Sequence, residues 1–131
     1  MSTPTLERTP SRVPHAAGVG KELIVELWDP GGIDLTNREA IRAVLLRAVR
    51  ASGSTLIRSY VHRLNPGVTG FALLKESHIS IHTWPEYGYA ALDFFTCGGA
   101  DSYKALEEVK RVFQPKAVKV TELMRGAREA L

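Results

Sequence analysis

The chain has 131 residues, of which 44% are hydrophobic and 24% are charged, a length and composition typical of one globular domain. Seventeen basic and fourteen acidic residues give a formal net charge of +3, too small an excess to indicate nucleic-acid binding. No apolar run approaches the ~18 residues of a membrane span, and the N-terminus lacks the apolar core of a signal peptide. A single cysteine cannot form an internal disulfide, which fits a reducing compartment, so we expect a cytoplasmic protein. From the small charge excess and the short apolar runs, we expect that it binds neither nucleic acid nor membrane.

The N-terminal part of the chain is predicted to be a tail followed by a strand. Residues 1–19 contain three prolines and no sustained hydrophobic period, which predicts a flexible tail before a single domain over residues 20–131. Within that domain, Glu22–Asp29 favours a strand, and Pro30–Gly32 ends it.

A helix and a run of strands are predicted next. Thr36 and Glu39 have the spacing of a capping box, and apolar residues then recur at helical spacing until Gly53, which ends the helix. From this point the hydrophobic period changes to two, which predicts four strands, within residues 54–62, 68–75, 77–83 and 88–97.

The C-terminal part is predicted to contain a helix and a last strand. Apolar residues share one helical face over Ser102–Phe113, Gln114–Pro115 breaks the helix, and residues 116–123 alternate as a strand does. The resulting order, β-α-β-β-β-β-α-β, predicts an α+β two-layer sandwich, a mainly antiparallel sheet with both helices on one face.

Reactive side chains concentrate in the predicted strand SHISIHT, residues 77–83. Its two-residue period places His78, Ser80 and His82 on one face, whereas Ser77 joins the isoleucines unless the chain bends just before it. The chain's one cysteine, Cys97, ends the following strand. Taken singly, such histidines are most often solvent-facing, and such a cysteine is most often a small buried residue.

Two chemical alternatives follow from these residues. His78, His82 and Cys97 could supply three zinc ligands, although no CxxC, HExxH or clustered carboxylate accompanies them. A Cys–His hydrolase would need an oxyanion hole and a third orienting group, which the sequence does not identify. The segment GGIDLTN matches neither a P-loop nor a dinucleotide-binding motif.

The segment ESHISIHTWPEYGYAALDFFTCG, residues 76–98, closely resembles the signature of the prokaryotic S-adenosylmethionine decarboxylases, a pyruvoyl-dependent family of self-cleaving proenzymes. The likeness begins at GKELIVELW, residues 20–28, and extends to the final strand. It implies a carboxy-lyase that converts S-adenosylmethionine into the aminopropyl donor of spermidine and polyamine synthesis. It also implies a homodimer of processed protomers, with sites near the subunit interface.

The resemblance implies that the cofactor is made from the chain itself. Self-cleavage between Glu76 and Ser77 would give a β chain, 1–76, and an α chain, 77–131, that begins with a pyruvoyl group derived from Ser77. This group would form a Schiff base with the substrate amine, so neither a metal nor pyridoxal phosphate is expected. Its carbonyl supplies the electron sink that decarboxylation of an amino acid requires.

Three further residues acquire roles from the resemblance. His82 matches the histidine that promotes processing, and Thr69 lies where the family usually has an assisting serine. Cys97 matches the proton donor that acts after decarboxylation, a step for which a thiol is acidic enough.

Two departures from the family pattern concern the substrate. Glu22 stands where a histidine is common, and RLNPGVTG has Leu64 at the position of an adenine-stacking aromatic, in a turn one residue shorter. Trp28 or Tyr60 could stack instead, and we expect Glu22, Leu64 and Trp28 to contact the substrate. An added carboxylate and a lost aromatic would suit L-arginine or L-ornithine, which some family members decarboxylate.

A non-catalytic regulatory or binding homologue is the alternative of another class. The joint presence of Ser77, His82 and Cys97 argues against it, since an inactive relative has no chemical reason to keep all three.

Overall fold

Six strands and two α-helices lie within residues 18–128, which are the residues that the computed structural model describes. Their bounds are β1 (Gly20–Trp28), α1 (Arg38–Ser52), β2 (Leu56–Arg63), β3 (Val68–Leu74), β4 (Ser77–Trp84), β5 (Tyr89–Cys97), α2 (Ser102–Phe113) and β6 (Ala117–Arg125). This order confirms the predicted α+β arrangement, with one addition, a 3₁₀ turn at Pro85–Tyr87 between β4 and β5. The predicted tail lies outside the described residues except for its last two positions.

All neighbouring strands are antiparallel, in the order β2-β3-β4-β5-β1-β6. The first strand of the chain is therefore internal, and the last strand lies beside it at one edge. The two helices pack against each other and on one side of the sheet. Within residues 18–128, no helix has the length and apolar character needed to cross a membrane.

Strict alternation along the strands gives the sheet two different faces. Ile79 and Ile81 of β4, like Leu92 and Phe94 of β5, are buried beneath the helices. No helix in the described part of the chain covers the opposite side, which we call the open face. The open face carries Glu22, Ile24, Glu26 and Trp28 of β1, Thr69, Phe71 and Leu73 of β3, His78, Ser80, His82 and Trp84 of β4, and Tyr89, Ala91, Asp93, Phe95 and Cys97 of β5.

The predicted cap of α1 is wrong by one residue. Asn37 is the N-cap, and its side chain accepts a hydrogen bond from the backbone N–H of Ala40 at 3.0 Å. The hydroxyl of Thr36 instead donates to Asp34 at 2.7 Å. Gly53 does end the helix, in the left-handed conformation with φ 77°.

Candidate active site

The turn between β3 and β4 contains a strained residue. Leu74 and Ser77 are paired, so only Lys75 and Glu76 connect the two strands. Glu76 has φ 67°, a left-handed conformation that costs a residue with a side chain about 1–2 kcal/mol. The strain therefore lies directly before the Glu76–Ser77 peptide bond, the predicted cleavage site.

Cys97, the last residue of β5, reaches this same turn. Its Sγ lies 3.0 Å from the carbonyl oxygen of Glu76, so the thiol donates a hydrogen bond to that oxygen. The antiparallel pairing of β4 with β5, in which His78 lies opposite Phe95, brings the end of β5 to the start of β4. The structure thus brings the thiol of Cys97 to the backbone of Glu76, beside the Glu76–Ser77 bond.

The environment of Cys97 keeps its thiol protonated. Burial raises the pKa of the Cys97 thiol most, and the charge of Glu76 and the hydrogen bond to Glu76 raise this pKa further. A thiol with a raised pKa holds its proton at neutral pH, which suits a proton donor and does not suit a thiolate nucleophile. This shift and the hydrogen bond to a carbonyl, rather than to an imidazole, disfavour the Cys–His hydrolase alternative.

Ser77 lies on the helix side of the sheet and is 8% exposed. The prediction that it shares a face with the isoleucines of β4 is confirmed, since Ser77, Ile79 and Ile81 are all buried.

Thr69 and His82 form a second group. They are paired across β3 and β4, and the hydroxyl of Thr69 lies 2.9 Å from Nδ1 of His82. The half-buried imidazole of His82 also lies beside Trp84, with ring centroids 6.2 Å apart. The hydroxyl and the ring hold His82 in one orientation on the open face.

The two groups lie at different places on β4. Ser77 and His82 are five residues apart on one strand, which corresponds to about 16 Å, and they face opposite sides of the sheet. Within one chain, the structure therefore does not bring His82 to the Glu76–Ser77 bond.

The zinc alternative receives no support from the geometry. His78 and His82 are four residues apart on a strand, about 13 Å, which is too far for one metal ion. In the described range 18–128, no three His, Cys, Asp or Glu residues are grouped closely enough to hold a metal.

Glu22 forms an ion pair that the sequence does not reveal. Its Oε1 lies 3.0 Å from Nη1 of Arg125, and the Glu22 side chain is 18% exposed. The same guanidinium lies over the ring of Phe95, 5.3 Å from the centroid. Arg125 is 103 residues away from Glu22 in the chain, so only the pairing of β6 with β1 brings the two together.

A cavity of about 230 Å³ opens beside Cys97. It is lined by Gly18, Val19, Gly20, Lys21, Thr96, Cys97, Gly98, Ala100 and Met124. Gly20 is needed here because a Cβ at this position would lie 2.8 Å from the ring of Phe95. The cavity gives a small molecule access to the vicinity of the thiol.

Leu64 and Trp28 lie toward the other end of the sheet from Cys97. Leu64 is 60% exposed in the turn between β2 and β3, and its N–H donates to the carbonyl of Gly67 at 2.7 Å. Trp28 is also exposed and packs against Tyr89, with ring centroids 4.4 Å apart. The three expected substrate contacts therefore divide between the Cys97 end, with Glu22, and the His82 end, with Leu64 and Trp28.

Comparison with known proteins gives one consistent family. The model of the S-adenosylmethionine decarboxylase family matches residues 21–126. The S-adenosylmethionine decarboxylase proenzymes of Methanococcus maripaludis strain C7 and Thermosipho melanesiensis are each 44% identical to this chain over 110 residues. These matches cover 82% of the chain and 90% and 85% of the respective relatives. The proenzyme of Thermotoga petrophila is 43% identical, with 82% of this chain and 85% of the relative covered.

A solved structure agrees with the sequence comparisons. The crystal structure of the adenosylmethionine decarboxylase of Aquifex aeolicus VF5 superposes with a TM-score of 0.77 at 34% sequence identity. The match covers 85% of this chain and 93% of that one.

Proposed function

Since the chain belongs to the S-adenosylmethionine decarboxylase family, we propose that it cleaves itself and then decarboxylates S-adenosylmethionine with a pyruvoyl group made from Ser77. The product would serve as an aminopropyl donor for spermidine and other polyamines. The observation that carries the proposal is the 3.0 Å contact between Sγ of Cys97 and the carbonyl oxygen of Glu76. It joins the expected proton donor to the expected cleavage bond.

The geometry of the turn supports self-cleavage. The hydroxyl of Ser77 attacks the carbonyl carbon of Glu76, its proton passes to the peptide nitrogen, and the C–N bond breaks to leave an ester. Cys97 donates a hydrogen bond to the carbonyl oxygen while that oxygen gains negative charge. Breaking the bond also releases the left-handed strain at Glu76.

The later steps separate the two chains. Loss of the Cα proton of Ser77 expels the Glu76 carboxylate, which breaks the ester and leaves a dehydroalanine at position 77. Water then hydrolyses this dehydroalanine to the pyruvoyl group, and its nitrogen leaves as ammonia. The proposed products are a β chain, 1–76, and an α chain, 77–131, that starts with the pyruvoyl group. The catalytic domain in this account comprises residues 20–131.

The residues around position 77 fit a pyruvoyl group. Such a group at this position would lie next to the thiol that contacts Glu76. Its carbonyl supplies the electron sink that decarboxylation of an α-amino acid requires. Cys97 holds a proton at Sγ, because its pKa is raised, and can deliver it to the substrate carbon that has lost CO2.

The state of Glu22 favours S-adenosylmethionine over L-arginine or L-ornithine. As a free carboxylate, Glu22 would be a ready partner for a basic side chain, but its charge is balanced by Arg125 at 3.0 Å. Of the two departures from the family pattern, the added carboxylate therefore no longer favours a basic amino acid. Leu64 still offers no aromatic ring for stacking on adenine.

A second copy of the chain is proposed to complete the site. His82 is about 16 Å from Ser77 along β4, yet the family assigns it to processing of that serine. The open face also exposes Trp28, Phe71, Leu73 and Trp84, an apolar surface that a second open face could cover. In a two-fold pair, the Thr69–His82 group of one copy can approach the Glu76–Ser77 bond of the other.

The substrate assignment is tested by measuring CO2 release from carboxyl-labelled S-adenosylmethionine, L-arginine and L-ornithine in parallel. We expect release from S-adenosylmethionine, and none with the Ser77→Ala chain, which cannot form the pyruvoyl group. CO2 release from arginine or ornithine alone would show that the enzyme is an L-arginine or L-ornithine decarboxylase instead. No release from any of the three by cleaved protein would favour a non-catalytic relative.

A further inference from the structure

We propose that Arg125 determines substrate specificity, because it occupies the Glu22 carboxylate that would otherwise bind the guanidinium or ammonium group of a basic amino acid. The inference rests on the proposed decarboxylase function and deepens it. It assigns a role to a residue near the end of the described chain that no sequence motif includes.

Strand register places Arg125 at the reactive end of the sheet. Gly20 is paired with Cys97 on one side and with Arg125 on the other, so the three residues form one row across β5, β1 and β6. With strands about 4.8 Å apart, the Cα atoms of Cys97 and Arg125 are separated by roughly 10 Å. The side chain of Arg125 then folds back over the neighbouring row, where it contacts Glu22 and the ring of Phe95.

The ion pair lies in the row next to that of Cys97. Glu22 is paired with Phe95, which is two residues before Cys97 on β5. A substrate whose α-carbon receives the proton of Cys97 can extend its side chain along this row. Glu22 is one strand and two residues away from Cys97, roughly 8 Å between Cα atoms, which an extended basic side chain can span.

Basic amino acids and S-adenosylmethionine differ in the bonds that they can form with a carboxylate, so Arg125 can discriminate between them. A guanidinium or ammonium group donates charge-assisted hydrogen bonds to a carboxylate, and these are among the strongest side-chain contacts. The sulfonium of S-adenosylmethionine has no N–H and can make no such bond. By holding the Glu22 oxygen itself, Arg125 removes the contact that would favour a basic amino acid and costs the sulfonium substrate little.

The first test compares kcat/KM for L-arginine and S-adenosylmethionine in Arg125→Gln and the unaltered enzyme. We expect the ratio of arginine to S-adenosylmethionine to rise about tenfold or more, the scale of one charge-assisted hydrogen bond. The double variant Arg125→Gln, Glu22→Gln should lose this gain, and Arg125→Lys should keep the original selectivity. Arg111→Gln is the matched control, because Arg111 also pairs with a glutamate, Glu108, but on α2.

A binding measurement tests the same idea without turnover. We expect agmatine, which is arginine without its carboxyl group, to bind the cleaved Arg125→Gln enzyme about tenfold more tightly than the unaltered one by titration calorimetry. Equal agmatine affinity in the two proteins, with unchanged selectivity, would overturn the inference.

Two controls separate this outcome from failure of the proposed function. If unaltered enzyme does not decarboxylate S-adenosylmethionine, the proposed function fails irrespective of Arg125. Arg125 is more than half exposed at the end of an edge strand, so its replacement should leave folding intact. Self-cleavage and the melting temperature of each variant check this directly.

Discussion

At the scale of single residues, Cys97 makes two contacts with the same neighbour that together explain its chemistry. Its Sγ lies 3.0 Å from the Glu76 carbonyl oxygen and 3.9 Å from the Glu76 carboxylate. The first contact places the thiol at the proposed cleavage bond. Burial raises the pKa of the thiol most, and the negative charge at the second contact raises this pKa further. One cysteine can therefore assist processing and later act as an acid.

The raised pKa of Cys97 predicts slow alkylation at neutral pH. In the uncleaved Ser77→Ala chain, the rate of reaction with iodoacetamide should reach half its maximum at a pH above the ordinary thiol value of about 8.5. The rate follows the thiolate, so a raised pKa moves the curve to higher pH. Replacing Glu76 by Gln removes the charge and should move the curve back toward lower pH. A midpoint at or below the ordinary value would contradict this account of the thiol.

The Thr69–His82 hydrogen bond predicts a specific effect on processing. Thr69→Val keeps the branched shape that suits a strand but removes the hydroxyl that lies 2.9 Å from Nδ1 of His82. We expect self-cleavage to slow by about tenfold or more, since a mispositioned imidazole is a poorer proton-transfer group. Thr69→Ser retains the hydroxyl and should cleave at close to the original rate. Equal rates for the serine and valine variants would exclude a role for the hydroxyl.

Part of the site could be inferred from sequence, and part could not. The resemblance around Ser77 implies roles for Glu76 and Cys97, and the pairing of β4 with β5 places the end of β5 beside the start of β4. The partner of Glu22 could not be inferred, because Arg125 reaches it only through the register of the last strand with the first. The separation of His82 from Ser77 follows from strand rise once both are assigned to one strand.

At the scale of elements, periodicity locates each strand and helix, and capping decides the ends. The bounds predicted for α2, Ser102–Phe113, match the structure, in which Asp101 caps the first turn through two backbone N–H groups. The start of α1 is less determined by sequence, because Thr36 and Asn37 are both good caps. The last strand extends to Arg125, beyond its predicted end, because β1 offers paired positions back to Gly20.

The corrected cap predicts a difference between two neighbouring substitutions. Asn37→Ala should lower the free energy of unfolding by about 1 kcal/mol, because the backbone N–H of Ala40 loses its acceptor. Thr36→Ala should lower it by less than about 0.5 kcal/mol, since its hydroxyl bonds only to Asp34. Urea denaturation of both variants measures the difference. A larger loss of unfolding free energy for Thr36→Ala than for Asn37→Ala would support Thr36 as the N-cap, as the sequence predicts.

At the scale of the whole molecule, the sheet carries its reactive groups toward opposite ends. Glu76 and Cys97 lie at one end of the central strands, and Thr69 and His82 lie several residues away toward the other. A two-fold pair of open faces would bring unlike ends together and form two complete sites. The pairing would also cover exposed aromatic residues such as Phe71 and Trp84.

This arrangement predicts complementation between two inactive chains. A His82→Ala chain retains Ser77, and a Ser77→Ala chain retains His82, so neither should cleave when expressed alone. Coexpression should restore cleavage of the His82→Ala chain, because its partner supplies the missing imidazole. Gel analysis with different tags on the two chains identifies which one is cut. Absence of cleavage in a mixed dimer whose formation has been verified would show that His82 acts within its own chain.

Intact mass under denaturing conditions shows whether Ser77 becomes a pyruvoyl group by cleavage of the Glu76–Ser77 bond. We expect two fragments, residues 1–76 and 77–131, with the second resistant to Edman degradation because its N-terminus carries no amine. The Ser77→Ala chain should remain whole under the same conditions. A single uncut chain of 131 residues after prolonged incubation, with and without S-adenosylmethionine, would show that Ser77 is not converted into a pyruvoyl group.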